Sequence, residues 1–378
     1  MKLFSVISST LRRGFYPLLG VLFFVLAATA CETIYDDRSN CFGGVRLRFV
    51  YEYHMERGAN AFPANVDCVT VYVFDTEGNY VTQLSETSDV LQDESYRMDL
   101  PLDAGTYNLL VYGGLTCQSS RFVLTPDWSD ASAASLHQQD DTTVTLPRDS
   151  QGVSAEQLHD LDKREGGLFY GARQITLSDE DFNKGHYRDE TVYLIKDTND
   201  IQIILQELES PYSVDVADYD FKIVDDNFVL DALNQAVHIA GDDYQPCYKP
   251  YFSKNRSMGF VDIDNARDGQ YLEGDVNMPV QVACAEFSTS RLFFEHARSA
   301  RLIVSSSDSG EEIINVPLIE YLLLIQNHYD NWIKSEQEFL DRQSRWSLIL
   351  FLNNGRWINT SVRISVNSWI VRLNNIII

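Results

Sequence analysis

Alternation between apolar and polar residues constrains this chain most strongly, because a period of two suits a half-buried β-strand and not a helix. The clearest run covers residues 45–53, where Val45, Leu47 and Phe49 are separated mostly by polar residues. Residues 68–74 are apolar at nearly every position, which is typical of a central strand buried on both faces. Turn signals recur about every 8–12 residues. The sequence therefore predicts a mainly β protein made of antiparallel sandwiches.

One stretch departs from the strand period. Leu318, Leu322 and Ile325 follow Pro317 at spacings of three or four residues, and the pattern continues less regularly to residue 340. Proline suits the first position of a helix. The sequence predicts one amphipathic helix near the C-terminus that packs against a sheet.

Two predicted strands close the chain, the first at residues 346–352. The apolar positions of the second shift by one residue after Ser368, from Val362, Ile364 and Val366 to Trp369, Val371 and Leu373. A shift of one residue moves side chains to the opposite face of a strand. We therefore predict a bulge or a bend at this point.

A change of composition predicts a domain boundary. From about residue 125 to residue 165 the chain is poor in large apolar residues and rich in Asp, Ser, Gln and Thr. We place the boundary near the end of this stretch. The prediction is an N-terminal β-sandwich domain at residues 41–163 and a C-terminal β-sandwich domain at residues 164–378.

The N-terminus has the parts of a bacterial lipoprotein export signal. Basic residues at 2, 12 and 13 precede an apolar stretch at 15–26, and small residues at 27–30 lead directly to Cys31. The apolar stretch is too short for a resident transmembrane helix. We predict a signal peptide at residues 1–30 and lipidation of Cys31, with an ordinary secretory signal beside a coincidental cysteine as the alternative.

Residues 31–40 form a short polar tether behind the predicted lipid, which would hold this end of the chain at a membrane. Within it, Tyr35-Asp36-Asp37 resembles the acidic signal that sends lipoproteins of the Bacteroidetes to the outer face of the outer membrane. A solvated linker is the alternative interpretation.

The strongly negative charge of the chain disfavours some classes of binding partner. The full chain carries a net charge of −25, and removal of the signal peptide with its three cations and no acidic residue makes this −28. Such a charge argues against binding to nucleic acid or to anionic lipid.

Five cysteines remain besides Cys31, and their pairing stays open. An odd number in an oxidising compartment allows up to two disulfides and leaves at least one free thiol. No pair has the CxxC spacing, which disfavours zinc and thioredoxin chemistry. The five are Cys41, Cys68, Cys117, Cys247 and Cys284.

The sequence contains no catalytic signature: no GxSxG elbow, HExxH motif, Walker loop or dinucleotide fingerprint occurs. Asp262, Asp264 and Asp268 form the densest carboxylate cluster, but their spacing is not that of a calcium loop, so an acidic turn is the preferred interpretation. We predict no catalytic residue, no metal and no cofactor.

Seven segments together carry a resemblance to a known family. They are CFGGVRLRFVY at 41–51, DCVTVYVFDTEG at 67–78, LDAGTY at 102–107, LFYG at 168–171, VPLIEYLL at 316–323, FLDRQ at 339–343 and ISVNSW at 364–369. In this order they resemble the FimB-type lipoprotein anchor subunits of Bacteroidales fimbriae, also called type V pili. The resemblance covers about residues 31–378.

That resemblance implies two tandem transthyretin-like β-sandwich domains and a role at the base of a fimbrium. Pilins of this kind lose an N-terminal strand to proteolysis, and a strand from a neighbour fills the open groove. An anchor keeps its first strand because the lipid is attached to it. The implied partners are the fimbrial shaft subunits and the outer membrane, and the implied result is that elongation stops.

The C-terminal segment then becomes the candidate contact with the shaft, through Ile364, Val366, Trp369, Val371 and Leu373. The alternative is a last strand that pairs within its own sheet. Two other functions compete with the anchor hypothesis. One is a surface lipoprotein that binds glycan or host protein through a β-sandwich, and the other is a lipid-anchored hydrolase.

Overall fold

The computed structural model of the chain describes most residues between 44 and 374. The described ranges are 44–55, 58–117, 120, 122–126, 138–145, 167–183, 186–208, 214–238, 247–259, 279–326, 332–366 and 369–374. Within them the protein is mainly β, which confirms the predicted class. The predicted signal peptide, Cys31, the tether, Cys41 and the acidic cluster at 262–268 lie outside the described residues.

The secondary structure consists of many short strands and a few short helices. In chain order the strands are β1 (Gly44–Val50), β2 (Val69–Phe74), β3 (Tyr80–Glu86), β4 (Met98–Leu100), β5 (Gly105–Gly113), β6 (Val123–Thr125), β7 (Thr143–Thr145), β8 (Phe169–Leu177), β9 (Tyr187–Tyr193), β10 (Ile195–Lys196), β11 (Thr198–Glu207), β12 (Tyr219–Val224), β13 (Val229–Asp231), β14 (Cys247–Tyr248), β15 (Phe252–Gly259), β16 (Pro279–Ser290), β17 (Arg301–Ser306), β18 (Glu312–Pro317), β19 (Arg345–Asn353), β20 (Arg356–Val366) and β21 (Trp369–Asn374). The α-helices are α1 (Phe62–Asn65), α2 (Asp179–Asn183), α3 (Leu318–Leu323) and α4 (Glu336–Arg342).

These strands assemble into five sheets within the described residues. The strand orders are β4-β1-β9, β10-β8-β5-β2-β3, β15-β16-β11-β19-β20-β21, β14-β12-β17-β18 and β13-β7-β6. Most neighbouring strands run antiparallel.

The chain divides into two compact units. One comprises the described residues of Met1–Arg46, Met98–Gly105 and Leu177–Glu190, and the other those of Leu47–Arg97, Thr106–Thr176 and Thr191–Ile378. In the first unit the Asp181 carboxylate accepts hydrogen bonds from the backbone and hydroxyl of Ser178, both at 2.8 Å, and lies 3.0 Å from Arg188 Nη1. These bonds satisfy a carboxylate that is almost completely buried.

In the second unit, β2 is a central strand, as predicted. Every residue of β2 is buried, and the strand pairs antiparallel with β3 on one side and β5 on the other. The turn from β2 to β3 is organised by Asp75, whose Oδ1 accepts the backbone N–H groups of Glu77 and Asn79. Gly78 in this turn has φ +84°, a conformation that favours glycine.

Strands from both sides of the predicted boundary at residues 163/164 share sheets, and the division into two sandwich domains stays a prediction. Strands β8 and β10 come after that boundary, yet they share a sheet with β2, β3 and β5. Strand β13 pairs with β7 in the same way, with Leu230 opposite Val144. Composition shows where large apolar side chains are scarce, whereas a sheet assembles from strands that are distant in sequence.

The six-stranded sheet contains a parallel pair, which departs from the predicted antiparallel arrangement. β11 pairs antiparallel with β16 but parallel with β19, so Ile203 lies opposite Leu348 and Leu205 opposite Leu350. All four of these side chains are fully buried. Apolar alternation looks the same in a parallel and an antiparallel strand, so the sequence pattern gives no direction.

Two short helices replace the single predicted helix. Pro317 ends β18 and occupies the N-cap position of α3 rather than the first helical position. Residues 332–335 are not helical, and α4 starts afresh with Ser335 as its N-cap. The helices bury Leu318, Leu322 and Phe339 in the same apolar core as the six-stranded sheet, so the predicted packing is confirmed. Among the residues described, no helix is long and apolar enough to span a membrane.

Candidate anchoring and assembly surfaces

The first described strand, β1, is a central strand. It lies between β4 and β9, so it has a neighbouring strand on each side. Val45, Leu47 and Phe49 are at most 3% exposed, while Arg46 and Arg48 are partly exposed. The predicted alternation is therefore confirmed. Of the described strands, the one nearest the predicted lipid site is therefore built into a sheet rather than attached at its edge.

The end of β1 is held by local contacts. The ring of Phe49 stacks on that of Phe62, with centroids 5.4 Å apart. Tyr51 N donates to Asn60 Oδ1 at 2.9 Å, and Ala61 N donates to Tyr51 O at 2.8 Å. These contacts join the strand to the loop and to helix α1, which together fix the direction in which the chain leaves β1.

The C-terminal segment forms a hairpin inside its own sheet. β20 pairs antiparallel with β19 and with β21, and β21 is the edge strand. Ile364, one of the five candidate shaft-contact residues, is fully buried in the core that also holds Leu348 and Leu350. The described backbone therefore has the pairing that we gave as the alternative, and it leaves β21 at an edge of the sheet.

Where the sequence predicts a bulge or a bend, after Ser368, the structure has β20 and β21 as antiparallel neighbours. Val366 lies opposite Trp369, Ile364 opposite Val371 and Val362 opposite Leu373. A reversal with two intervening residues keeps these positions in register, so the shift of the apolar pattern needs no irregularity within a strand.

One disulfide is present among the described cysteines. Cys68, just before β2, is bonded to Cys117, just after β5, with their Cα atoms 5.4 Å apart. Cys247 and Cys284 are free thiols. Cys284 is fully buried, and burial raises its pKa to about 11, so at neutral pH it remains a protonated, unreactive thiol.

A buried charge network, which sequence inspection missed, ties four distant segments together. Arg291 Nε and Nη2 donate to the two carboxylate oxygens of Asp341, both at 2.8 Å, and Arg291 Nη1 donates to Asn234 O at 2.7 Å. Asn234 Nδ2 in turn donates to Oδ1 of the fully buried Asp197 at 2.8 Å. Burial raises the pKa of Asp197 to about 7, although Arg291 acts in the opposite direction.

The histidines have partners that their positions in the sequence did not indicate. His296 Nδ1 lies 2.6 Å from Asp225 Oδ1 in a buried pair, and this hydrogen bond raises the pKa of His296. His238 Nδ1 lies 3.3 Å from Asp226 Oδ2. These are pairs rather than ligand sets, and no group of three or more His, Cys, Asp or Glu within the described ranges could hold a metal ion.

Several solved structures resemble this chain. A candidate adhesin from Bacteroides thetaiotaomicron is 36% identical, with a TM-score of 0.69 over 88% of this chain and 99% of that protein. A candidate polysaccharide-binding protein from the same organism is 26% identical, with a TM-score of 0.62 over 87% and 98%. The fimbrial anchor protein Mfa2 from Porphyromonas gingivalis has the same fold at 16% identity, with a TM-score of 0.56 over 88% and 99%.

Comparison by sequence shows to which protein family this chain belongs. No curated protein matches the chain. The family model of the fimbrillin-A associated anchor proteins Mfa1 and Mfa2 matches residues 38–375, which is nearly all of the chain. The resemblance to fimbrial anchor subunits is thereby confirmed, and this protein belongs to the fimbrillin-A associated anchor protein family.

Proposed function

We propose that this protein is an outer-membrane lipoprotein that fixes a fimbrial shaft to the cell surface and terminates its elongation. Membership of the anchor family supports a fimbria-associated role. The observation that carries the finer proposal is β1, which lies between β4 and β9 with Val45, Leu47 and Phe49 buried. A subunit whose first strand stays in place offers no groove to a strand from another subunit.

The energetics favour retention of β1. Each large apolar side chain that leaves the core costs about 1.5–3 kcal/mol. Exposure of Val45, Leu47, Phe49 and Val50 together would therefore cost a sum comparable to the ~5–15 kcal/mol that holds a domain folded. With the strand in place the chain ends a polymer rather than extending it.

The membrane attachment is proposed to be the lipid on Cys31. Replacement of Cys31 by Ala should abolish incorporation of a fatty-acid probe and release the protein from the membrane fraction, because no other acylation site is predicted. Cys41→Ala is the matched control and should retain the label. Persistence of the label in the Cys31→Ala protein would refute the assignment.

The contact with the shaft is proposed to lie at the C-terminal hairpin. Ile364 is fully buried in the chain's own core, so we assign the contact to the edge strand β21, which contains Trp369, Val371 and Leu373. Edge strands present unpaired backbone groups, and these can pair with a strand from another subunit.

The position of the protein on isolated fimbriae tests the proposal. Gold-labelled antibody against the chain should mark one end of each fimbrium, the end that carries membrane fragments. Label distributed along the shaft, or at the opposite end, would contradict the anchor function.

Glycan binding is the second candidate, and one observation favours it. The candidate polysaccharide-binding protein from Bacteroides thetaiotaomicron is 26% identical over most of its length. A glycan array discriminates the two functions, because an anchor that only joins protein to membrane should give no saturable glycan signal.

A further inference from the structure

We infer that Arg342 couples the end of the N-terminal strand β1 directly to the C-terminal strands, so that tension between membrane and shaft bypasses most of the chain. The inference rests on the proposed anchor function, since only a chain held at both ends carries such a load. All the residues that form the coupling belong to one compact unit.

The Arg342 side chain contacts the segment that follows β1. Its Nη1 donates to the carbonyl oxygens of Glu52 at 3.4 Å and His54 at 3.5 Å. Its guanidinium carbon lies 4.0 Å from the centre of the Tyr53 ring, within the range of a cation–π contact. Three consecutive residues are thus held by one side chain through backbone and ring contacts.

The other contacts of Arg342 hold it to its own end of the chain. Its Nε donates to Glu338 Oε1 at 2.8 Å, and each of these side chains is only 18% exposed. The ring of Trp332 lies 5.4 Å from the guanidinium carbon on a second aromatic contact. Arg342 is also the last residue of α4, where a positive charge interacts favourably with the helix dipole.

A second connection lies beside the first. The Ser344 side chain interacts with the Tyr51 hydroxyl and acts to lower its pKa, although burial raises that pKa to about 12. The backbone oxygen of Ser344 accepts a hydrogen bond from Asp200 N at 2.8 Å. Met55 packs against the core of the six-stranded sheet. The segment that follows β1 therefore contacts both Arg342, at the end of α4, and Ser344, just before β19.

These contacts define a short mechanical route. From residues 51–54 it passes to Arg342 and Ser344, then to β19, across to β20 and finally to β21. In this route the force does not pass along the long stretch of chain between residues 56 and 341. Arg342 thus contacts Glu52, Tyr53 and His54 on one side of the junction and Trp332 and Glu338 on the other.

Optical-tweezers measurements on the full chain test this route along two axes. The first axis joins a handle at Ser39 to a handle at the C-terminus. The second joins two exposed positions outside the route, Lys254 in β15 and Asp308 in the turn between β17 and β18. On the first axis Arg342→Ala should shorten the lifetime of the folded state at constant force roughly tenfold, equivalent to about 1.4 kcal/mol. On the second axis its lifetime should stay unchanged.

Two further variants complete the test. Arg301→Ala is the matched control, because Arg301 donates two hydrogen bonds to Asn315, at 2.7 and 2.8 Å, outside the proposed route. It should leave the first axis unchanged. Arg342→Lys retains the charge beside Glu338 but lacks the planar guanidinium, so it should fold and shorten the lifetime on the first axis only.

Equal shortening on both axes would assign Arg342 a purely structural role, and an unchanged lifetime on the first axis would also overturn the inference. Neither result depends on where the protein sits on a fimbrium. If gold label marks the membrane end while the lifetimes fail to separate, only the mechanical route is refuted. If the lifetimes separate while the label lies elsewhere, the anchor function is refuted.

Discussion

At the scale of single residues, Asp197 contributes to the pH dependence of the protein's stability. It is fully buried, and burial raises its pKa from 3.8 to about 7. Between these values the folded state binds a proton that the unfolded state has released. The stabilising contribution of protonated Asp197 is therefore fully present below about pH 4 and is lost as the pH rises through about 7.

Asp197→Asn should weaken this pH dependence. The amide retains an oxygen that can accept from Asn234 Nδ2 but cannot ionise, so the variant should lose less stability than the natural protein between pH 5 and pH 8, by on the order of a few kcal/mol. Urea denaturation at the two pH values measures this. A residual loss above pH 6.5 should remain, because the pKa of His296 is also raised, by its hydrogen bond to Asp225.

Asp215→Asn is the control for this prediction. Hydrogen bonds from Asn255 and Ala217 lower the pKa of Asp215, so its contribution is lost only as the pH falls through its low folded-state value. The variant should show the natural pH dependence between pH 5 and pH 8. An unaltered slope in Asp197→Asn would show that this carboxyl group does not titrate in that range.

At the scale of elements, the disulfide closes a long loop of chain that contains three strands of the five-stranded sheet, β2, β3 and β5. Cys68 and Cys117 are 49 residues apart in sequence, and a crosslink over such a loop stabilises by about 4 kcal/mol through loss of unfolded-state entropy. The double variant Cys68→Ser/Cys117→Ser should lose about this much stability in urea denaturation. Cys247→Ser, which removes a free thiol, should change stability little. Equal stability of the oxidised protein and the double variant would contradict the prediction.

The sequence pattern predicted individual strands well because alternation is a local property. β1 and β2 have the predicted burial, since each residue's face depends only on its neighbours along the strand. The start of α4 also has a local signal, which the prediction of a single helix left out. Ser335 Oγ accepts from Glu338 N at 3.1 Å, and Glu338 Oε2 accepts from Lys334 N at 3.0 Å. This S-x-x-E pattern is typical of a new helix start.

Pairing between distant strands was not predictable in the same way. The parallel register of β11 with β19 and the shared sheet of β8 with β2 depend on contacts across long sequence separations. The same holds for the candidate sites. The contacts of Arg342 with Glu52 and His54 join residues almost 300 positions apart, and no periodicity within a single sequence indicates them.

At the scale of the whole molecule, the proposed anchoring and the proposed termination depend on different parts of the chain. The predicted lipid lies upstream of β1, and β1 itself lies between two strands with its apolar residues buried. Loss of the protein should remove both the tether and the stop. Loss of the lipid alone should remove the tether and leave the closed β1 intact, because the strand is held by its own packing.

Deletion of the gene should therefore produce fimbriae that are longer than normal and are shed into the medium. Fimbrial length in electron micrographs, together with the amount of shaft protein in the cell-free fraction, measures both effects. On the proposed function, growth should continue without the protein, because a pilin at the base would still present a groove that a further strand can fill. Reintroduction of the natural gene should restore length and attachment together. Fimbriae of normal length that remain on the deleted cells would contradict the anchor and terminator function and would favour the glycan-binding alternative.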